Sequence, residues 1–201
     1  MSLARVETFA LDGVEARRVW VEADIRRGLS AFNVVGLADK AVREARERVR
    51  AALQNSGFVF PQERITVNLA PAHLRKVGPG FDLPVAIAIL AASGQLPAET
   101  VAGCAVIGEL SLTGEVRAVR GALAVAEGVR RHGLGRLLLP LSRAREAALV
   151  EEVEVLGVEH LQEAVEVLRG EREPAPIPEA GPEVPDDIDE PEPRQQTTRS
   201  R

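Results

Sequence analysis

The chain has 201 residues, 45% of them apolar, which suits one domain with a sizeable core plus an extension and is too short for two full α/β domains. Residues 1–170 hold 21 acidic and 21 basic side chains and residues 171–201 hold 9 and 4, so the net charge of −5 belongs to the C-terminal stretch, and a generally basic nucleic-acid-binding domain is not supported. One cysteine (Cys104) and three scattered histidines (His73, His132, His160) exclude an internal disulfide and a zinc site; with no membrane-length apolar run and no secretory signal, the expected setting is the cytoplasm.

The first third reads as strands. Val6–Leu11 alternates, Asp12-Gly13 makes a turn, and alternation resumes from Val14 to Ile25, which predicts a hairpin. Gly28 precedes a third run, Ala31–Gly36. Val42, Ala45, Val49, Ala52 and Leu53 then fall at helical spacing ahead of Gly57, predicting a helix over 40–56. Arg64–Ala70 reads as a strand, followed by a loop rich in Gly and Pro over 71–80. From Leu83 the chain is apolar almost all round, which predicts a buried helix over 83–94, with Asp82 as its cap and Pro84 tolerated in its first turn.

Cys104–Leu112 reads as one strand, turning at Thr113-Gly114 into Glu115–Val119. Ala122, Leu123, Ala126 and Val129 predict a helix closed by Arg130, Arg131, His132 and Gly133. Leu137–Leu139 and Val153–Val155 read as short strands, Ser142 as the cap of a helix through Val150, and Leu161–Leu168 as a last helix before Gly170. The alternation of strand and helix from Leu134 predicts parallel strands there. The expected class is therefore α/β, a mixed sheet packed with helices and antiparallel in its N-terminal portion. From Glu171 prolines and acids dominate, which predicts a domain over 1–170 and a disordered tail over 171–201.

Among candidate sites, the stretch Lys76-Val77-Gly78-Pro79-Gly80-Phe81-Asp82 stands out, because glycines before a helix N-terminus can turn backbone N–H groups toward an anion. A structural turn is the competing reading. It is not a Walker A loop, since the terminal Gly-Lys-Ser/Thr is absent. Arg43, Arg46 and Arg50 could form a weak DNA face, although Glu44 and Glu47 between them favour an ordinary solvated surface. His73 suits a hydrogen-bond partner in an exposed loop better than a base. Glu109 and Glu115, on a hairpin, are not an obvious acid/base pair.

Two resemblances follow from these segments. The order Gly78–Leu90, then Val106–Pro140, resembles the proteolytic domain of Lon proteases. The resemblance implies a Lon-protease-domain-like (ribosomal protein S5 domain 2-like) fold with a Ser-Lys pair. Here Gly80 stands where the serine would be and Val125 where the lysine would be, so no catalytic residue is expected.

A closer match covers about residues 3–169. It is carried by Phe32-Asn33-Val34-Val35-Gly36-Leu37, Val42–Val49, Ile65–Ala72 and Lys76–Pro84, which resemble the N-terminal domain of the magnesium-chelatase-like AAA+ proteins of the YifB/ComM type. The resemblance implies a hexameric ATP-driven helicase that promotes DNA branch migration in natural transformation. Walker A, Walker B and arginine-finger motifs are absent here, so ATP and Mg are expected only with an ATPase module, and no metal or cofactor with this chain. The implied partners are that module or neighbouring subunits of a ring, and DNA through the full assembly, with no membrane. Lys76, Gly78, Pro79, Gly80, Phe81 and Asp82 would be the contact loop. The competing readings are a free-standing interaction domain and a Ser-Lys peptidase.

Overall fold

Alternation along the first 26 residues builds a long hairpin. Strands β1 (Ser2–Asp12) and β2 (Glu15–Arg26) pair antiparallel from Ser2 opposite Ile25 to Asp12 opposite Glu15. The turn residues are Gly13-Val14, one position beyond the predicted pair, with Gly13 at φ 63°. This computed structural model describes residues 2–36 and 40–179, without the side chains of Lys40, Ala41 and Arg43. The expected tail lies outside the described residues from 180 onward. Its start is held down, because Arg172 pairs with Glu163 at 3.2 Å and Glu166 at 3.5 Å.

Strand β4 (Arg64–Ala70) adds antiparallel to β2, and β3 (Ala31–Val35) adds parallel to β4. On the other side β5 (Cys104–Val106) joins β1 in parallel. Two short strands, β6 (Glu109–Leu110) and β7 (Val116–Arg117), form a separate antiparallel ribbon. Strands β8 (Arg136–Pro140) and β9 (Glu154–Val158) complete a seven-stranded mixed sheet of order β3-β4-β2-β1-β5-β8-β9, parallel from β1 outward as predicted for the C-terminal part.

One face of the sheet holds the main core. Val6, Val21, Val67 and their neighbours meet helix α1 (Lys40–Asn55) and helix α2 (Asp82–Ala92), whose residues are all buried. The predicted stripe Val42, Ala45, Val49, Ala52 and Leu53 is the buried side of α1. The opposite face is covered by α3 (Ala122–Arg131), which packs on β2, β1 and β8, and by α4 (Ala144–Ala147) beside β9, over Phe9, Ala16, Ala105, Leu137 and Leu139. A last helix, α5 (Leu161–Leu168), seals the main core beside β9. Its N-cap is His160, whose ring accepts the Gln162 N–H.

The structure departs from the sequence reading in two elements. Cys104–Leu112 is not one strand, because β5 ends at Val106 and Gly108 turns its backbone to the 76–82 loop. Gly108 N–H donates to Gly80 O at 3.1 Å, and Leu83 N–H donates to Gly108 O at 3.0 Å. Ser142 lies within a 3-10 turn, Leu141–Arg143, and only Ala144–Ala147 is α-helical after it, with no side-chain cap.

Gly36 is held by a close backbone crossing. Its φ is 103°, and a Cβ there would sit 2.2 Å from Leu69 O. A backbone oxygen cannot swing aside like a side-chain end. Gly36→Ala is therefore expected to destabilise the fold by about 2–4 kcal/mol, read as a lower urea midpoint at unchanged slope.

Candidate functional site

The 76–82 loop enters α2 through a 3-10 turn, Pro79–Phe81, after Gly78 at φ 85°. Asp82 does not cap α2. It is the helix's first residue, and its carboxylate turns inward to Arg48 of α1. Arg48 Nε donates to Oδ2 at 2.8 Å and Nη2 to Oδ1 at 3.1 Å, a two-bond fork, and Leu110 N–H reaches Oδ2 at 3.3 Å. The Asp82 side chain is 0% exposed and that of Arg48 25%. Burial pushes the Asp82 carboxyl above the usual carboxylate range, and the Arg48 bonds hold it partly back. The same pair, with its hydrogen bond as the leading cause, holds the Arg48 guanidinium above its ordinary value.

This tie joins α1, α2 and β6 at the loop. Sequence reasoning missed it, because Arg48 was hidden among the other arginines of α1. A signal existed. Arg48 follows Ala45 by three positions and precedes Ala52 by four, which puts it beside the buried stripe, while Asp82 heads an otherwise apolar helix.

Three of the predicted contact residues have no surface to offer. Lys76, Phe81 and Asp82 are all buried: Phe81 belongs to the main core, Asp82 meets Arg48 and Leu110, and Lys76 Nζ donates to Pro71 O. Burial pushes the Lys76 ammonium below its ordinary value. Gly78, Pro79 and Gly80 are half-buried, and Val77 is 60% exposed, so the outward part of the loop is an apolar lip.

At Gly80 a Cβ would lie 3.5 Å from Val119 Cγ1, an ordinary contact, so the backbone has room for a side chain that the sequence does not supply. Val125 is buried in the apolar cluster beneath α3. Residues 76–82 contain no hydroxyl, thiol or imidazole, and their two ionisable groups are both turned inward. The arrangement can hold a loop in place; it offers no nucleophile or base to a substrate. Among the described residues no group of His, Cys, Asp and Glu could hold a metal ion.

The proposed basic face is partly tethered. Arg46 Nη1 donates to Phe32 O at 3.1 Å, and the Arg50 guanidinium lies 5.4 Å from the Phe60 ring centre. Both are exposed, as are Glu44 and Glu47. The Arg43 side chain lies outside the described residues. His73 is exposed, as expected. Val77→Asp is expected to leave stability within about 0.5 kcal/mol, since the side chain already faces water; an unchanged denaturant midpoint checks it.

The sequence has relatives among known proteins. A family model described as subunit ChlI of Mg-chelatase matches residues 21–143. The chain is 43% identical over 170 residues to the uncharacterized protein YifB of Salmonella typhimurium, covering 85% of this chain and 33% of that protein. It is 43% identical over 174 residues to the competence protein ComM of Haemophilus influenzae, with the same coverages of 85% and 33%. A match of 34% identity over 122 residues, 60% of this chain and 26% of the relative, is to the DNA repair protein RadA of Aquifex aeolicus. The chain thus spans about a third of the length of the curated YifB and ComM relatives.

Proposed function

The chain belongs to the family described as subunit ChlI of Mg-chelatase, and from that premise we propose that it is a non-catalytic N-terminal module of a ComM/YifB-type AAA+ ATPase that works on DNA. The observation that carries this reading is the coverage, 85% of the chain at 43% identity against 33% of each relative's length. One relative is named for competence and another for DNA repair, which supports a DNA transaction, branch migration in natural transformation, as the process served. ATP and Mg²⁺ would be held by the ATPase module in the remaining length of such a protein. The Lon-protease-domain-like fold belongs to the same proposal, supported by the mixed sheet and by the loop that opens a fully buried helix. The Ser-Lys peptidase reading finds no support in a loop without a nucleophile.

In this role the Val77–Gly80 lip meets the ATPase module or a neighbouring subunit in the cytoplasm, and DNA is engaged by the whole assembly. A single copy with zero net charge over 1–170 has little phosphate affinity, and several copies in a ring add their contacts. The test is to delete this domain from a full-length relative, then measure ATP hydrolysis and migration of a labelled four-way junction. Retained ATP hydrolysis with loss of junction migration is expected. Full migration without the domain would remove the proposal.

A further inference from the structure

The chain leaves its last helix in a direction that the module reading does not use. α5 begins at the β6–β7 ribbon, where the His160 ring meets Thr113 O at 3.0 Å, and Leu110 N–H of the same ribbon bonds Asp82 at the start of α2. It ends just past the other end of α2, where Arg169 Nη2 donates to Gln95 O at 2.5 Å. Both helices thus run away from the 76–82 loop. At Gly170, φ 71°, the chain reverses, with Gly170 N–H on Val167 O at 3.0 Å and Glu171 N–H on Glu166 O at 2.9 Å. Arg172 then reaches back along α5 to Glu166 and, one turn further, to Glu163. Glu163 is buried, and its other oxygen accepts the Glu159 N–H at 2.8 Å. Pro174 and Ala175 are half-buried. The chain therefore sets out back toward the end of the domain that carries the 76–82 loop.

At that end the lip offers apolar surface, Val77 at 60% exposure beside half-buried Pro79, with Val119 next to Gly80. Arg75, Arg117 and Arg120, the charged residues flanking it, are exposed, against Glu109 and Glu115 on the ribbon. The chain's own sequence holds a match. Residues 183–192 carry six acids, no base and two branched apolar side chains, Val184 and Ile188. Such a stretch cannot bury enough apolar surface to fold alone, but its pattern of one isoleucine among carboxylates complements an apolar strip with an arginine rim. The reach suffices. Sixteen residues separate Arg172 from Ile188, and a Pro-rich chain of that length spans up to about 50 Å, against about 16 Å for the whole of α2.

We propose that residues 183–192 fold back over the Val77–Gly80 lip as an intramolecular strap, with Ile188 on Val77 and Pro79 and the carboxylates on the arginine rim. The strap covers the face that the domain offers to an ATPase module or neighbouring subunit until that partner displaces it, and this last step rests on the function proposed above. A nucleic acid would meet the arginines but leave the apolar lip uncovered and set phosphates against Glu109 and Glu115. Tethering gives the segment an effective concentration on the order of millimolar. A contact too weak to join separate molecules is then occupied most of the time, and a partner that binds more tightly still replaces it.

The experiment uses the full chain. Cys104 is fully buried, and burial pushes its thiol up to about 12, so a cysteine introduced as Gln195→Cys takes a nitroxide label alone. Amide relaxation should then show Val77, Gly78, Gly80 and Val119 broadened by the label at about 0.05 M salt, and the effect should fall about threefold at about 0.5 M. Joint neutralisation by Asp186→Asn, Asp187→Asn and Asp189→Asn should abolish it. These changes lie outside the folded domain, and the unlabelled spectrum of the same protein confirms that the fold is kept. Broadening of an isotope-labelled chain by a nitroxide carried only on a second, unlabelled chain would give the lip to another copy and overturn the proposal. So would a label that leaves these amides sharp, that broadens Arg46 and Arg50 of α1 instead, or that acts regardless of salt and of the neutralised acids. No ATPase module enters the measurement, so its failure leaves the module reading intact, and loss of that reading in the junction assay leaves the strap standing.

Discussion

Ile87→Asp is expected to abolish the cooperative unfolding transition of this chain. Ile87 is fully buried in a helix all of whose residues are buried, packed between the β1–β2 part of the sheet and α1. Loss of the branched side chain alone costs about 2–5 kcal/mol. The new carboxyl has no partner built for it. Staying neutral at pH 7 requires its pKa to rise by about 3–4 units, a further cost of about 4–5 kcal/mol. Together these match the whole stability of a typical domain, about 5–15 kcal/mol. Ile87→Val at the same place should cost only about 0.5–1.5 kcal/mol and keep a sharp melt. Thermal melts followed by circular dichroism check both. An aspartate variant melting within a few degrees of the parent would mean that α2 is not the centre of the core.

The reason this prediction could be framed from sequence is that α2 and α1 announce themselves locally. An apolar run from Leu83 has no polar side to turn outward, and Val42, Ala45, Val49 and Ala52 repeat at the helical period. The hairpin was legible in the same way, from period-two alternation across a turn. What was not legible is non-local. Nothing near Cys104 says that β5 will stop at Val106, because the cause lies in the Gly80 and Leu83 backbone groups that bond Gly108. Nothing in Ala31–Val35 says that this strand will run parallel to β4 at the sheet edge. The same holds for the candidate site. Its glycines stand out in the sequence, but charge at a loop suggests exposure for Lys76 and Asp82. The fold instead places both charges inside, and the partner of Asp82 is supplied from 34 positions away.

That partner makes the second large prediction. Arg48→Ala is expected to destabilise the chain by about 3–5 kcal/mol at neutral pH, the usual effect of leaving one member of a buried pair unpaired. The loss should depend on pH in a definite direction. Asp82 in the folded protein already titrates above its ordinary 3.8, because burial outweighs the Arg48 and Leu110 hydrogen bonds. A carboxyl raised by folding favours the folded state below the unfolded value, and that contribution is lost as pH rises through the folded value. Without the Arg48 hydrogen bonds, the folded value rises further and the window widens toward neutrality. The variant should therefore regain stability on acidification from pH 7 toward 5, and its deficit against the parent should shrink, since a neutral carboxyl no longer needs the guanidinium. Asp82→Asn in the Arg48→Ala background should recover much of the deficit at neutral pH and remove this pH dependence, because the amide oxygen can still accept the Leu110 N–H while carrying no charge. Urea titrations of the parent, the single and the double variant across that pH range decide the matter. A deficit constant with pH, or a double variant no more stable than Arg48→Ala, would show that Arg48 supports the loop through the packing of its stem rather than by neutralising Asp82.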